Sequence, residues 1–310
     1  MSMLLSAVMR ISRRHLAAWL LFIFATMLTG CATPSPPPGI VVISSDRSPP
    51  FVAVQREISK RYTDRIQNYY LDSDTDKNAA IRKRVQASNL SVVVAIGLPA
   101  AQMARDLTGK HVVFCQVFNY EDPSLVTSWM KGVVATPPVN DLFQTWKQLN
   151  PRLKQVGVVT GAGLRNLMEE AQFAASKNGL KLIHVEARSD KETLYAFKHL
   201  SPKIQGLWMV PDNRVLSRSA IRDMLAYSVR QGVQVAVFSD QLLSLGGLLS
   251  AETSPADIAE RVLLQVRNIL VDSGSSVSGL SRATISINTV MAKRLNLKIS
   301  ESLRGMAHAP

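Results

Sequence analysis

The sequence predicts an α/β chain of doubly wound parallel sheets, and three apolar runs carry that prediction. Gly206-Leu207-Trp208-Met209-Val210 stops at Pro211, which has no N–H to give a sheet ladder, so a strand ends there. Gln155-Val156-Gly157-Val158-Val159 runs out into Thr160-Gly161-Ala162-Gly163, and residues 233–238 run out into Ser239-Asp240. Helical patterns at 164–178 and 215–231 lie between these runs. Parallel neighbours need a crossover of about a dozen residues, which these helices supply. Asp212, Asn213 and Asp240 therefore sit at the carboxyl edge of a buried sheet, where open α/β folds hold ligands.

The chain begins differently. Arg10, Arg13 and Arg14 precede an apolar run from Leu16 to Leu28, closed by Leu28-Thr29-Gly30-Cys31. A basic patch, a short apolar stretch and small residues describe an export signal, and the run is too short to span a bilayer. Leu-Thr-Gly-Cys resembles the lipobox of bacterial lipoproteins, which implies cleavage after Gly30 and lipidation of Cys31. Residues 31–39 hold four prolines and form a stiff tether. Ala32, where an inner-membrane retention signal would place aspartate, points to the outer membrane of a Gram-negative cell.

The whole chain of 310 residues carries 36 Lys and Arg against 23 Asp and Glu. Loss of residues 1–30 removes three arginines and no acids, leaving a formal +10. Such a surface suits anionic headgroups or an acidic partner. Nucleic acid is not expected, for want of a recognition motif. Of two cysteines, Cys31 is committed to the anchor and Cys115 is left without a disulfide partner, as a buried inert thiol.

Taken in order, the mature chain opens on a β-branched strand at 40–43 ending in Ser44-Ser45-Asp46. A helix at 50–62, a strand at 66–71 and a helix at 77–87 follow. Residues 90–96 form the most hydrophobic strand, followed by Gly97-Leu98-Pro99-Ala100-Ala101. Pro99 suits a first helical turn, Gly97 a sharp bend, and the exposed amides there would attract an anion. The strand at 111–118 ends in Asn119-Tyr120-Glu121-Asp122-Pro123. Residues 132–138 are expected to cross to a second lobe, which opens with a helix at 141–149. Residues 242–250 are expected to cross back; a helix from Pro255 to about residue 271, a Ser/Gly-rich loop at 272–281, a strand at 283–287 and a helix at 288–297 complete the chain. The layout is that of two α/β lobes on a hinge. Residues 40–135 and about 245–275 form the first lobe, and 136–244 and about 280–303 the second.

These residues resemble a family. Val93-Val94-Ala95-Ile96-Gly97-Leu98-Pro99-Ala100-Ala101, Asn150-Pro151 with Val156-Gly157-Val158-Val159, Val210-Pro211-Asp212-Asn213, Val237-Phe238-Ser239-Asp240 and 287–297 match, in order, motifs of ABC-transporter substrate-binding proteins similar to amino-acid receptors of the type I periplasmic-binding fold. The resemblance implies a small ligand, an amino acid or related carboxylate, gripped between two lobes for an ABC permease. Gly97, Pro99, Ala100 and Asn119 would act on the first lobe, and Gly161, Asn166, Asp212, Asn213 and Asp240 on the second. Asp212 would hold a ligand ammonium, and the helix start after Gly97 its carboxylate. Leu98 replaces the family's usual hydroxyl, and either Asn119 or Asp122 takes the place of its Asp-Pro.

No catalysis, metal or cofactor is expected. His15, His111, His184, His199 and His308 show no ligand spacing, and Gly161-Ala162-Gly163 lacks the rest of a dinucleotide motif. The competing reading is an accessory or sensor lipoprotein that binds a membrane protein partner, its ligand site degenerate.

Overall fold

β-branched runs build the first sheet. Ile40–Ser44 (β1), Val92–Ile96 (β3) and His111–Val117 (β4) are buried almost throughout, as strands covered on both faces must be. The computed structural model describes residues 39–270 and 277–310. The export segment, Cys31 and most of the tether, with part of the Ser/Gly-rich loop, lie outside the described residues.

Pro49–Arg61 (α1), Ile66–Tyr70 (β2), Thr75–Ala87 (α2), Leu98–Arg105 (α3) and Lys131–Val134 (β5) complete the first run. Asp74 caps α2 by accepting from Asp76 N and Lys77 N, which explains why that helix starts two residues before its predicted position. The second run comprises Val139–Leu149 (α4), Gln155–Thr160 (β6), Arg165–Lys177 (α5), Lys181–Glu186 (β7), Asp190–Leu200 (α6), Gly206–Trp208 (β8), Arg218–Gln231 (α7), Gln234–Val237 (β9) and Leu249–Glu252 (β10). Pro255–Asn268 (α8) returns to the first lobe, where it packs on α1, β4 and β5. Val277–Ser278 (β11), Thr284–Asn288 (β12), Thr289–Arg294 (α9) and Ala307–His308 (β13) end the chain.

The sheets run β11-β5-β4-β3-β1-β2 and β13-β12-β10-β9-β8-β6-β7, parallel except for β12 against β10 and the β13 edge it carries. Apolar clusters cover both faces of each sheet. Trp146 of α4 anchors one of them and donates through Nε1 to Gln234 Oε1 at 2.8 Å.

The structure corrects the sequence reading in three places. Residues 181–200 form a further strand and helix that the apolar periodicity passed over, because β7 is a half-exposed edge without a buried run. Residues 132–134 belong to β5, so the first crossing starts after Val134. The return crossing starts after Glu252, since Leu249–Glu252 pairs with β9 and β12 in the second sheet. The stretch 245–275 is thus divided between the lobes.

Candidate functional site

Strand order decides where the site forms. In the first sheet β1 lies between β2 and β3, so the chain leaves β1 to one side and returns on the other. In the second, β6 lies between β7 and β8 in the same way. Each is a topological switch point, where loops diverge and leave a crevice at the carboxyl ends. The first is framed by Ser45 and Gly97, the second by Gly161 and Asp212.

At the first switch point Gly97 has φ +88°, and a Cβ there would meet Ser45 Oγ at 2.6 Å. Only glycine suits that turn. Ser45 Oγ donates to Ile96 O at 2.9 Å and accepts from Ala100 N at 3.0 Å, capping α3. Pro99 has no amide hydrogen, so the anion-binding capacity expected after Gly97 is reduced. Beside it opens a cavity of about 560 Å³ lined by Ser45, Arg47, Tyr70, Asp72, Asn78 and Pro99. The Arg47 guanidinium lies 4.2 Å from the Tyr70 ring centroid. Sequence reading missed Arg47 and Tyr70; only the pairing of Ser44 with Tyr70 makes them neighbours.

At the second switch point Asp212 is 1% exposed, and its oxygens are taken. Oδ2 accepts from Gly161 N at 2.8 Å and Arg214 Nη2 at 2.7 Å, while Oδ1 accepts from Arg214 Nε at 2.8 Å. Arg214 Nη1 also donates to Ala162 O at 2.8 Å. The bond to Asp212 raises the guanidinium pKa above its ordinary value, with charge from Asp212 and Asp122 adding to it. Asp212 was expected to hold a ligand ammonium; a cation of the chain stands in that position.

The loop after β4 spans the two lobes. Glu121 accepts from Asn166 N in the first turn of α5, at 3.2 and 3.0 Å from its two oxygens. Tyr120 shares a side-chain hydrogen bond with Asn166, and burial raises the phenol pKa. Phe118 packs on the second lobe's core. Near the hinge only about 20 Å³ is open among Pro137, Pro138, Met209, Pro211 and Phe238.

The other expected residues divide. Asn119 is buried and Asn213 exposed. Asp240 accepts from Ser250 and from Ser286 Oγ, tying its loop to β10 and β12 rather than to the Asp212 cluster. Burial pushes the Cys115 thiol up to about 12, so it stays protonated. Among the described residues no group of three His, Cys, Asp or Glu is placed to hold a metal.

A model of the family described as ABC transporter substrate binding protein matches residues 57–309. The chain belongs to that family. Family membership places it outside the cytoplasm, and among the described residues no helix is long and apolar enough to cross a membrane. Three solved structures share the two-lobed fold, each covered over 99% of its own length by 88% of this chain. A ligand-free, open substrate-binding protein with adhesive properties from Clostridium difficile is 17% identical, with a TM-score of 0.64. An ABC domain in complex with L-Trp from Streptococcus pneumonia is 20% identical (TM-score 0.62), and a conserved domain protein from Vibrio cholerae 21% identical (0.60). At these identities the likeness establishes the fold alone. No curated protein matches.

Within this family member the two residues that most change the site, Arg214 and Glu121, were legible as charges but not as occupants. A cation two places after an aspartate resembles a solvated surface residue. Only the folded loop turns its side chain back.

Proposed function

We propose that the chain is a lipoprotein, anchored through Cys31, that captures an amino acid or related small carboxylate between its lobes for an ABC importer. One observation carries the ligand class. The second lobe's crevice is filled by a carboxylate, Glu121, at the amino end of α5 and by a cation, Arg214, on Asp212. Those are the two charges of an amino acid, arranged as a helix terminus and a buried carboxylate favour them. A zwitterionic ligand would trade places with both and reach the first-lobe cavity beside Arg47 and Tyr70.

The lipobox at 28–31 supports the anchor, and Ala32 supports the outer membrane. Incorporation of labelled palmitate, lost in Cys31→Ser, tests the anchor.

The ligand reading is tested by thermal unfolding of residues 32–310 with L-tryptophan first, then other amino acids, small carboxylates, nucleosides and sugars. Saturation at about 100 times Kd adds roughly 2.7 kcal/mol to the native state, a readable shift in midpoint. The full bond complement of Asp212 favours a second reading, a lipoprotein that binds a membrane protein and keeps its crevice permanently filled. A panel without any shift would favour that reading, and a crosslinked pull-down would then seek the partner.

A further inference from the structure

We propose that the end of the first lobe at the amino edge of its sheet is a docking face for anionic phospholipid headgroups. In a parallel sheet the crossover helices run back against the strands, so α1, α2, α3 and α8 all finish at the edge where the strands begin. Their last turns carry Lys60 and Arg61, Arg84, Arg105 and Arg267. Cations at helix ends answer the helix dipole and by themselves require no partner. Two further observations point to one.

Three of the exposed large apolar side chains gather at this edge. Trp129 is 45% exposed just before β5 and shares a hollow with Lys110 and the turn after α3. Leu270, 50% exposed, follows α8, and Val277, 38% exposed, opens β11 beside Gly132. Tryptophan among lysines and arginines is the composition that sits at headgroup level in a bilayer interface.

The chain also enters here. Gly39 leads directly into β1 at the same edge, and Cys31 lies eight residues upstream. Eight extended residues reach roughly 28 Å. A lipid on Cys31 would therefore tether the folded unit from this end. The far end of the second lobe is basic too, with Arg152, Lys154 and Lys203 exposed, but it has neither the tryptophan nor the chain entry. Docking by the first-lobe end orients the molecule with the crevice and second lobe pointing away from the surface. This inference goes beyond ligand capture; it takes from the lipoprotein reading only the proximity of a membrane.

Residues 39–310 hold both sheets in one compact unit, so the face can be tested without the anchor. Trp146 and Trp208 are buried, which makes Trp129 the exposed tryptophan reporter of this unit. Vesicles of phosphatidylcholine with phosphatidylglycerol should bind the protein, shift its emission to the blue and quench it through brominated acyl chains. Phosphatidylcholine alone should not, and Trp129→Phe should remove the signal. Lys60→Gln with Arg267→Gln should lower partitioning roughly thirtyfold, while the unfolding midpoint stays in place. The proposal is overturned by an absence of binding to anionic vesicles, by binding without quenching of Trp129, or by loss of binding in Lys154→Gln with Lys203→Gln but not in the first-lobe pair. Lipidation of Cys31 is scored separately by palmitate, so failure of either leaves the other standing.

Discussion

The two switch points have the same topology and opposite chemistry. In the first lobe a neutral hydroxyl, Ser45 Oγ, closes the crevice by capping α3, and about 560 Å³ of open space remains beside it. In the second an ion pair of the buried Asp212 with the half-exposed Arg214 fills the crevice and bridges Gly161 and Ala162. The difference lies in what each strand end delivers. β1 ends in Ser44-Ser45, whereas β8 is cut by Pro211 and followed at once by Asp212, Asn213 and Arg214. The comparison teaches that a shared fold position leaves room to one lobe and charge to the other.

Substitutions should expose that contrast in order of size. Arg214→Ala leaves the buried Asp212 carboxylate with backbone donors alone and should cost about 2–3 kcal/mol, seen as a lower unfolding midpoint; a cost close to zero would mean that Asp212 is not held as described. Gly97→Ala forces a Cβ onto Ser45 at positive φ and should cost about 2 kcal/mol, whereas Gly163→Ala, at φ +81° with open space around it, should cost nearer 1 kcal/mol. Equal costs would remove the claim that the first crevice is tightly closed at its turn. Ser45→Ala leaves Ala100 N–H without its acceptor and should cost about 1 kcal/mol, well below the Arg214 effect.

The smallest effect concerns pH. His184 on β7 meets Thr160 Oγ1 at 2.8 Å, and burial lowers its pKa below the ordinary histidine value. Thr160 Oγ1 also donates to Gly161 O, so it accepts from the Nε2–H of His184. A folded-state pKa below the unfolded one makes this contribution complete above the ordinary value, about 6.5, and progressively lost as pH falls beneath it. His184→Gln should flatten the dependence of the unfolding midpoint on pH between about 5 and 7. An unchanged slope would assign it to other groups.

How much was legible follows the same physics. Val92–Ile96 and Gln155–Thr160 were readable because strands buried on both faces leave continuous apolar runs. Lys181–Glu186 was not, since half-exposed edge positions blur the pattern. Its helix did carry a signal, the capping-box spacing Ser189 to Glu192, in which Ser189 accepts from Glu192 N. The positions of Asp212 and Gly161 at a strand end followed from Pro211 and the apolar runs. Their mutual bond, the return of Arg214, and the reach of Glu121 across the lobes depend on strand order, which no local pattern encodes. Arg47 and Tyr70 are the same case on the first lobe.

The reading of Glu121 and Arg214 as stand-ins for an amino acid is tested most directly by calorimetric titration of the Glu121→Ala variant beside the unaltered chain. L-tryptophan and the amino acids that shift the unfolding midpoint would serve as titrants. Removing an internal carboxylate from the amino end of α5 should tighten carboxylate ligands about two- to fivefold, the worth of one charge at a helix terminus. Unchanged or weaker binding in Glu121→Ala would mean that Glu121 does not occupy the ligand's place, and the account of the second lobe would fail.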